Sequence, residues 1–473
     1  GINQKRGSHK MKTYALVLAA GKGTRMKSEI PKCAYPILRK PIIEYIVEKF
    51  EKSGIIDEVV VVVGYKKEVF EEILDSRVTF CEQIEQKGTA DAVNSARGYL
   101  IDKPGVTLIV PGDMPLMTIK LTNKIIKSHI EMGNDLTVVS TVVENPKGYG
   151  RIVRNKFNVI QKIVEDRDCN EYQKQIHEIN SGVYVVNNEI LFSALDRVKT
   201  DNIKGEYYLT DIVELLNQER KIGVFTIRDS WQAMGVNDLY QVSQAEKYLR
   251  ELINKDHMVN GVNIINPDTV TLGHDVKIEP SATILPNSTI TGKSIIKAHT
   301  IIGPNTEIHN SIIHEGAHIK HSLIYDSEVQ EETTIGPFAH LRNHAVIGPR
   351  NRIGNFVEVK NSSTGADTKA SHLSYIGDAK VGSRVNFGCG SITVNFDGVN
   401  KHQTEIGDDV FIGCNVNMVA PLKISDNVFI AAGSTVTKDI PKGSLTIARS
   451  KQIDKTNYYS HYIKPKPVDD KVE

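Results

Sequence analysis

The sequence is poor in aromatic side chains, which make up 6% of its 473 residues and include one tryptophan, Trp231. So few rings argue against a base-stacking platform for single-stranded nucleic acid. Charge of one sign is missing too: 58 Lys and Arg against 57 Asp and Glu leave +1. No global field therefore draws in a polyanion or a membrane surface, and any anion site is built locally. No apolar run reaches the length a bilayer span needs. Residues 1–10 lack the apolar core of a secretory signal and read as an expression remnant, with the fold starting at Met11. The five cysteines, Cys33, Cys81, Cys169, Cys389 and Cys414, form no C-x-x-C pair. That pattern suits reduced thiols and excludes a disulfide scaffold or zinc ribbon. The expectation is a soluble cytoplasmic protein with no nucleic-acid or membrane partner.

What is present divides into two grammars. From Tyr14 to about Val236, β-rich runs (YALVLAA, EVVVVVG, VTLIVPGD, DLTVVSTVV) alternate with amphipathic stretches such as PIIEYIVEKFEKSG. Alternation of this kind predicts a Rossmann-like α/β domain with a mostly parallel sheet. Leu239, Val242, Ala245, Leu249 and Leu252 then recur at helical spacing, which predicts one long linking helix. After Gly261, aliphatic residues recur every six positions: Ile284, Ile290, Ile296, Ile302, Ile308, then Ile335 to Val359, then Ile406 to Val436. A six-residue period fits a left-handed parallel β-helix of hexapeptide repeats, with about 18 residues per coil and roughly ten coils. The expected bounds are 11–237 for the first domain, 238–260 for the linker helix, 261–449 for the solenoid and 450–473 for a tail. The period lapses between Ser362 and Ser374, which reads as a loop inserted into the solenoid.

LAAGKGTRMKSEIPK, Leu18 to Lys32, follows the first strand. Its small residues let backbone N–H groups approach phosphate oxygens, while Arg25 and Lys32 supply positive charge. It is neither a Walker A loop nor a G-x-G-x-x-G fingerprint, and a bare G-x-G-T equally suits a simple turn. Likewise, Asp113 at the end of an apolar strand can be a turn residue or a carboxylate reaching Mg²⁺ on nucleotide phosphates. The whole string resembles the L-x-x-G-x-G-T-x-M-x-x-x-x-P-K signature of sugar-phosphate nucleotidylyltransferases. That resemblance implies nucleotide and sugar contacts from Leu18, Ala19, Ala20, Gly21, Gly23, Thr24, Gln83, Gly88, Thr89, Gly150, Glu165, Asn180 and Asn237. It also implies catalytic roles for Arg25 and Lys32, and Mg²⁺ held by Asp113 and Asn237.

His372 lies in the stretch where the period lapses. A lone histidine there equally suits a solvated loop, but an amine acceptor needs a base that works near neutrality, and imidazole is the natural one. Arg342, Lys360 and Lys401 are cations fit for a sugar phosphate. The segments GPFAHLR, GNFVEVK, HLSYIGD, NFDGVNK, GDDVFIG and IAAGSTV resemble the acetyltransferase half of a bifunctional bacterial family. That family joins N-acetylglucosamine-1-phosphate uridylyltransferase to glucosamine-1-phosphate N-acetyltransferase and supplies UDP-N-acetylglucosamine for cell-envelope polysaccharides. The resemblance implies UTP and acetyl-CoA as co-substrates, both sugar phosphates as partners, and a homotrimer. It assigns His372 as the general base, and Arg342, Glu358, Lys360, Tyr375, Asn386, Asn395, Phe396 and Lys401 as sugar-phosphate contacts. Cys389, Cys414, Ala432 and Arg449 would lie along acetyl-CoA. Pro111, Phe396, Cys389 and Cys414 depart from the residues familiar there. The alternative reading is a monofunctional nucleotidylyltransferase with a non-catalytic solenoid. The histidines at 309, 314, 318 and 321, without a completing Cys or carboxylate, read as solvated face residues.

Overall fold

In the computed structural model, residues 11–462 are described, so the expected remnant and the end of the tail lie outside the described residues. The described chain divides into two compact units between Leu249 and Arg250. Among the described residues no helix is long and apolar enough to cross a membrane.

The first unit is built on a sheet of β1 (Thr13–Leu18), β2 (Glu58–Val63), β3 (Thr79–Glu82), β4 (Val106–Pro111), β5 (Leu136–Val142), β6 (Arg151–Arg154), β7 (Ile160–Val164), β8 (Glu178–Asn187) and β9 (Ile222–Ile227). The spatial order is β9-β5-β8-β4-β1-β2-β3, with β6 and β7 as a hairpin off β8. Every neighbour pair is parallel except those made by β8 and that hairpin. Alternate residues of β1 feed two cores: Ala15 and Val17 join one, Tyr14 and Leu16 the other. A strand buried on both faces reads as a continuous apolar run, which is why YALVL shows no alternation. Helix α1 (Ile42–Glu51) buries Ile42, Ile43, Ile46, Val47 and Phe50 at helical spacing. From β1 the chain lays β2 and β3 to one side and then crosses to β4 on the other. The topological switch therefore falls between β1 and β4, where ligands of such sheets bind.

Helix α2 (Leu239–Val259) fills the predicted linker stretch. In the second unit, its Asn254, 1% exposed, donates to the carbonyls of Pro267 and Val270 at 2.9 Å. That satisfies backbone acceptors at the open end of the solenoid.

The solenoid stacks parallel strands in strict register. On one face the ladder runs Thr283, Ile301, His318, Thr334, Arg352, Lys369, Asn386, Phe411, Phe429, Leu445. The six-residue series points inward: Ile284, Ile290, Ile296, Ile302 and Ile308 are all fully buried. These residues sit on the short flat strands rather than at the corners.

One expectation is overturned. Residues 362–374 are not an inserted loop, because Ser363 bridges Val346 below and Lys380 above while Ile353 pairs Ala370 and Val359 pairs Ile376. The stretch is a regular coil whose inward positions carry Thr364 and Ala370 in place of branched aliphatics. Thr364 donates its hydroxyl to Asn351 Oδ1 at 2.7 Å and accepts from the Gly348 amide at 2.9 Å. A satisfied polar ladder keeps the stacking while erasing the hydrophobic period. The real excursion comes later: Asn386 pairs with Phe411, 25 residues on. The extra length is a hairpin in which Phe396 and Lys401 form an antiparallel bridge. Asp397 Oδ1 accepts from the Val399 and Asn400 amides at 2.8 and 2.6 Å, and Oδ2 meets His402 Nε2 at 2.7 Å.

Candidate active sites

At the carboxyl ends of β1 and β4, a cavity of about 470 Å³ opens between the loop after β1, the start of helix Thr89–Asn94 and the β6–β8 region. Of the residues expected here, Leu18, Ala20, Gly21, Lys32, Gln83, Gly88, Thr89, Asp113, Gly150, Glu165 and Asn180 line it. Ala19, Gly23, Thr24, Arg25 and Asn237 do not. Ala19 is buried, its amide donating to Val62 O at 2.8 Å, and Arg25 is exposed.

Gly23 has φ +63°, and a Cβ there would lie 2.4 Å from Lys32 Cβ. The missing side chain lets Lys32 reach inward: its Nζ donates to Asp113 Oδ2 at 2.8 Å and to Asn237 Oδ1 at 3.0 Å. Burial disfavours the Lys32 ammonium, but the Asp113 charge outweighs it and the pKa is raised. Asp113 and Asn237 are tied together by backbone, since the Val236 amide donates to Asp113 O at 2.9 Å. Two oxygen donors from distant segments thus converge on one cationic atom. This hard-donor pair fits a Mg²⁺ ion whose remaining ligands are phosphate oxygens and water. Among the described residues no group of three His, Cys, Asp or Glu forms a self-sufficient metal cage.

Gln83 is 4% exposed, and its amide donates to Asp91 Oδ2 at 2.9 Å and to Gly88 O at 3.3 Å. That bonding fixes which edge of the amide faces the cavity. Glu165 accepts from Thr210 Oγ1 at 3.3 Å, and burial raises its pKa. A Cβ on Gly150 would lie 3.6 Å from both Glu165 Oε2 and Asn180 Cβ, so these two side chains flank the glycine. Asn180 donates to the Tyr184 hydroxyl at 2.8 Å. Several lining residues were not singled out by sequence reasoning. Gln86 donates to Ala20 O at 2.9 Å and locks the loop after β1. Cys33 lies against Gly112, its thiol pushed up to about 12 by burial, so it stays protonated. Gln86 is visible as the second glutamine of CEQIEQKGT; Cys33 carries no sequence signal.

The expected acetyltransferase residues fall into two groups on the solenoid. In the first, Arg342, Lys360 and Gly377 are in register, as are Glu358, Tyr375 and Ile392. Arg342 Nε donates to Glu358 Oε1 at 2.6 Å. Lys360, only 4% exposed, donates to both oxygens of Asp378 at 3.1 Å. Asp378 also accepts from Asn361 at 2.7 Å and from Asn395 at 2.7 Å, and Asn395 reaches the Tyr375 hydroxyl at 3.3 Å. Burial opposes the Asp378 charge, yet these donors win and hold its pKa low. Lys401, on the hairpin, is lowered because the Lys360 ammonium stands beside it. Three cations thereby gather beside two carboxylates: Arg342 on Glu358, Lys360 on the half-buried Asp378, and Lys401 next to Lys360. In the sequence Asp378 is only the last letter of HLSYIGD; its bonds to Lys360, Asn361 and Asn395 show only in three dimensions.

The second group runs along a corner of the solenoid. His372 is exposed and stands opposite Asn355 one coil below, in strand Lys369–Gly377. Cys389, Cys414 and Ala432 follow at the same position in successive coils, linked by Asn415 N to Cys389 O and Gly433 N to Cys414 O, both 2.8 Å. Arg449 closes the column by donating to Ala432 O. Asn386 stands on the adjoining face, paired with Lys369 and Phe411. Among the described residues, no hydrogen bond or ion pair joins the His372 side chain to the Lys360 group. The other histidines are engaged locally, His309 with Thr291 at 2.9 Å and His314 with Glu328 at 2.6 Å.

An α/β body whose switch-point crevice presents a Gly-rich loop, a lysine and an Asp–Asn pair, followed by a hexapeptide solenoid, defines the class: a nucleotidyl transferase joined to a hexapeptide transferase. Family models agree, matching Nucleotidyl transferase over residues 14–248, GMPPB C-terminal domain over 272–361 and Bacterial transferase hexapeptide (six repeats) over 403–438. The chain is 60% identical to "Bifunctional protein GlmU" of Acholeplasma laidlawii (strain PG-8A), covering 97% of this chain and 99% of that relative. It is 45% identical to the protein of the same name from Geobacillus sp. (strain WCH70), covering 95% and 98%, and 47% identical to that of Staphylococcus epidermidis, covering 95% and 99%. The chain belongs to the family of bifunctional GlmU proteins.

Proposed function

We propose that the chain makes UDP-N-acetylglucosamine in two steps. It transfers acetyl from acetyl-CoA to glucosamine-1-phosphate at the solenoid (261–449), then uridylyl from UTP to the product at the α/β domain (11–237), releasing pyrophosphate. The observation that carries this reading is the presence, on one chain, of the Lys32–Asp113–Asn237 convergence and of the Arg342, Lys360 and Lys401 cations beside Glu358 and Asp378. Residues 238–260 are assigned to the linker, and 450–473 to the tail.

For uridylyl transfer, the attacking phosphate oxygen of the sugar is already nucleophilic, so positioning and charge stabilisation are the main tasks. Asp113 and Asn237 would hold Mg²⁺, which when bound neutralises charge on the nucleotide phosphates. Lys32 and Arg25 offset the charge that grows on pyrophosphate. Gln83, Gly88 and Thr89 face the base, while Glu165, Asn180 and Gly150 face the sugar.

For acetyl transfer, the substrate's ammonium must lose a proton before its nitrogen has a lone pair to attack the thioester. His372 takes that proton; the C–N bond forms as the C–S bond breaks, and coenzyme A leaves as the thiol. Arg342, Lys360 and Lys401 hold the sugar phosphate, with Tyr375, Asn386, Asn395, Phe396 and Glu358 orienting the sugar. What supports a threefold assembly is that His372 and the cation group stand on separate columns of one solenoid. A closed ring would bring the column of one copy to the cation face of the next. The cytoplasm is the compartment that supplies UTP and acetyl-CoA together.

Two separate assays test the reading: thiol release from acetyl-CoA with glucosamine-1-phosphate, and pyrophosphate release from UTP with N-acetylglucosamine-1-phosphate. Both should turn over. Pyrophosphate release without thiol release would leave only a nucleotidylyltransferase. A sedimenting monomer with full acetyltransferase activity at the same concentration would overturn the trimer.

A further inference from the structure

Only two of the five cysteines, Cys389 and Cys414, are exposed, and the register puts them one above the other. Cys389 lies two residues after Phe387 and three before Ile392; Cys414 stands in the same relation to Ile412 and Asn417. Phe387 pairs with Ile412, and Ile392 pairs with Asn417. Each cysteine is followed by a residue of positive φ, Gly390 at 75° and Asn415 at 54°, so the two corners repeat one backbone conformation and aim their Cβ atoms in parallel. The Asn415 amide, donating to Cys389 O at 2.8 Å, ties the corners together.

Parallel side chains on neighbouring strands stand about 4.8 Å apart. A relaxed disulfide needs Cβ atoms about 3.5–4.5 Å apart, so this pair is spaced too widely to close on itself without movement. Two thiolates on one soft centre, each with a bond of about 2.3 Å, put their sulfurs about 3.5 Å apart where that centre is pyramidal and about 3.7 Å where it is tetrahedral, which rotation about the two Cα–Cβ bonds supplies. We propose that Cys389 and Cys414 form a vicinal dithiol site for a soft, thiolate-seeking centre, of which trivalent arsenic is the test case. Binding is a condensation: two S–As bonds form, and the arsenical's oxygen leaves as water with both thiol protons. No oxidant is needed. His372 occupies the same position one coil below, since Ala370 pairs with Phe387 and Tyr375 with Ile392. A ligand clasped by the cysteines therefore sits beside it, on the column assigned above to acetyl-CoA; the functional consequence, though not the clasp, rests on that assignment. Bound ligand stops acetyl transfer and leaves uridylyl transfer running.

The test is titration of the full chain with phenylarsine oxide, read by intact mass and by both activity assays. The expected result is one arsenical per chain that survives excess monothiol and is stripped by a dithiol, with thiol release lost and pyrophosphate release kept. Cys389→Ala and Cys414→Ser should each weaken retention by about 100-fold, because the second bond is intramolecular. Retention unchanged in either variant, or two independent adducts on the parent chain, would overturn the dithiol. Acetyl-CoA should also protect the pair from the arsenical. A clasp that forms without such protection keeps the dithiol and removes the coenzyme path. Protection of both thiols from a monofunctional maleimide, with no clasp, does the reverse.

Discussion

The crevice and the solenoid solve the problem of making a site in opposite ways. In the α/β unit, segments as distant as Lys32, Asp113 and Asn237 converge because crossover connections return every loop to the same end of the sheet. One chain encloses a cavity of about 470 Å³. In the solenoid, apart from the hairpin that carries Lys401, each coil touches its neighbours and its side chains are arranged as columns on its faces. Among the described residues its Lys360 group and its His372 column share a strand, Lys369–Gly377, but no side-chain hydrogen bond or ion pair links His372 to that group. A folded sheet gathers its groups around a crevice, whereas a stacked coil presents them in columns.

The largest effect that would break this comparison is expected from Asp113→Ala. Losing the carboxylate removes an oxygen donor and the partner of the Lys32 ammonium, and pyrophosphate release should fall by about 10³-fold or more while thiol release is unchanged. Equal activity at saturating Mg²⁺ would remove Asp113 from the site. His372→Ala comes next: thiol release should fall by about 10²-fold with pyrophosphate release kept, in line with the loss of a general base. A parental rate would show that another group takes the proton. Asp378→Asn should raise the KM for glucosamine-1-phosphate about tenfold with a smaller change in kcat, because Lys360 loses its counter-charge and one of the two carboxylate oxygens that it, Asn361 and Asn395 share becomes a donor. Rescue by Asp378→Glu would separate that positioning role from a structural one.

The smallest predicted effect compares stability instead of activity. His129 is 1% exposed, bonded to Thr137 Oγ1 at 2.7 Å and Asn187 Oδ1 at 2.8 Å, and burial lowers its pKa. The unfolded chain therefore binds the proton more readily than the folded one. Stability of the α/β unit should be full above the ordinary value of 6.5 and decline as pH falls below it, by about 1 kcal/mol per pH unit until the folded group also titrates. His129→Gln should flatten that slope in thermal melts, and a slope equal to the parent's would exclude His129 as its source.

How much of this was legible in the sequence depended on which forces left a periodic trace. Buried parallel strands such as EVVVVV and the six-residue aliphatic series are apolar by necessity, so both architectures could be read. The residues 362–374 were misread because Thr364 and Asn351 replace hydrophobic stacking with hydrogen bonds, which leave no period. The actual excursion at residues 395–403 went unnoticed because NFDGVNK looks like an ordinary turn. Of the crevice, Lys32, Asp113 and Asn237 were found through motif letters, but nothing in their spacing states that all three meet at one nitrogen. Asp378 and Gln86 act through neighbours brought near by folding, and their letters alone say only that they are polar.

The Thr364 coil has a consequence for how the solenoid comes apart. A stack in which each turn grips only the next behaves as a one-dimensional chain of couplings, and the whole is as cooperative as its weakest joint. Where isoleucine faces isoleucine, the coupling is insensitive to competing water; at the joint made by Asn351, Thr364 and Ala370 a few directional bonds replace part of that coupling, and the longest strand pairing of the solenoid, from Arg352 with Lys369 to Lys360 with Gly377, supplies the rest. Strain or denaturant should therefore part the stack first at joints made only of two- and three-residue strands, leaving the Arg352–Lys360 and Lys369–Gly377 strands together. The same joint lies beneath His372, which pairs with Asn355, so the proposed base stands on the most firmly held rung of the stack.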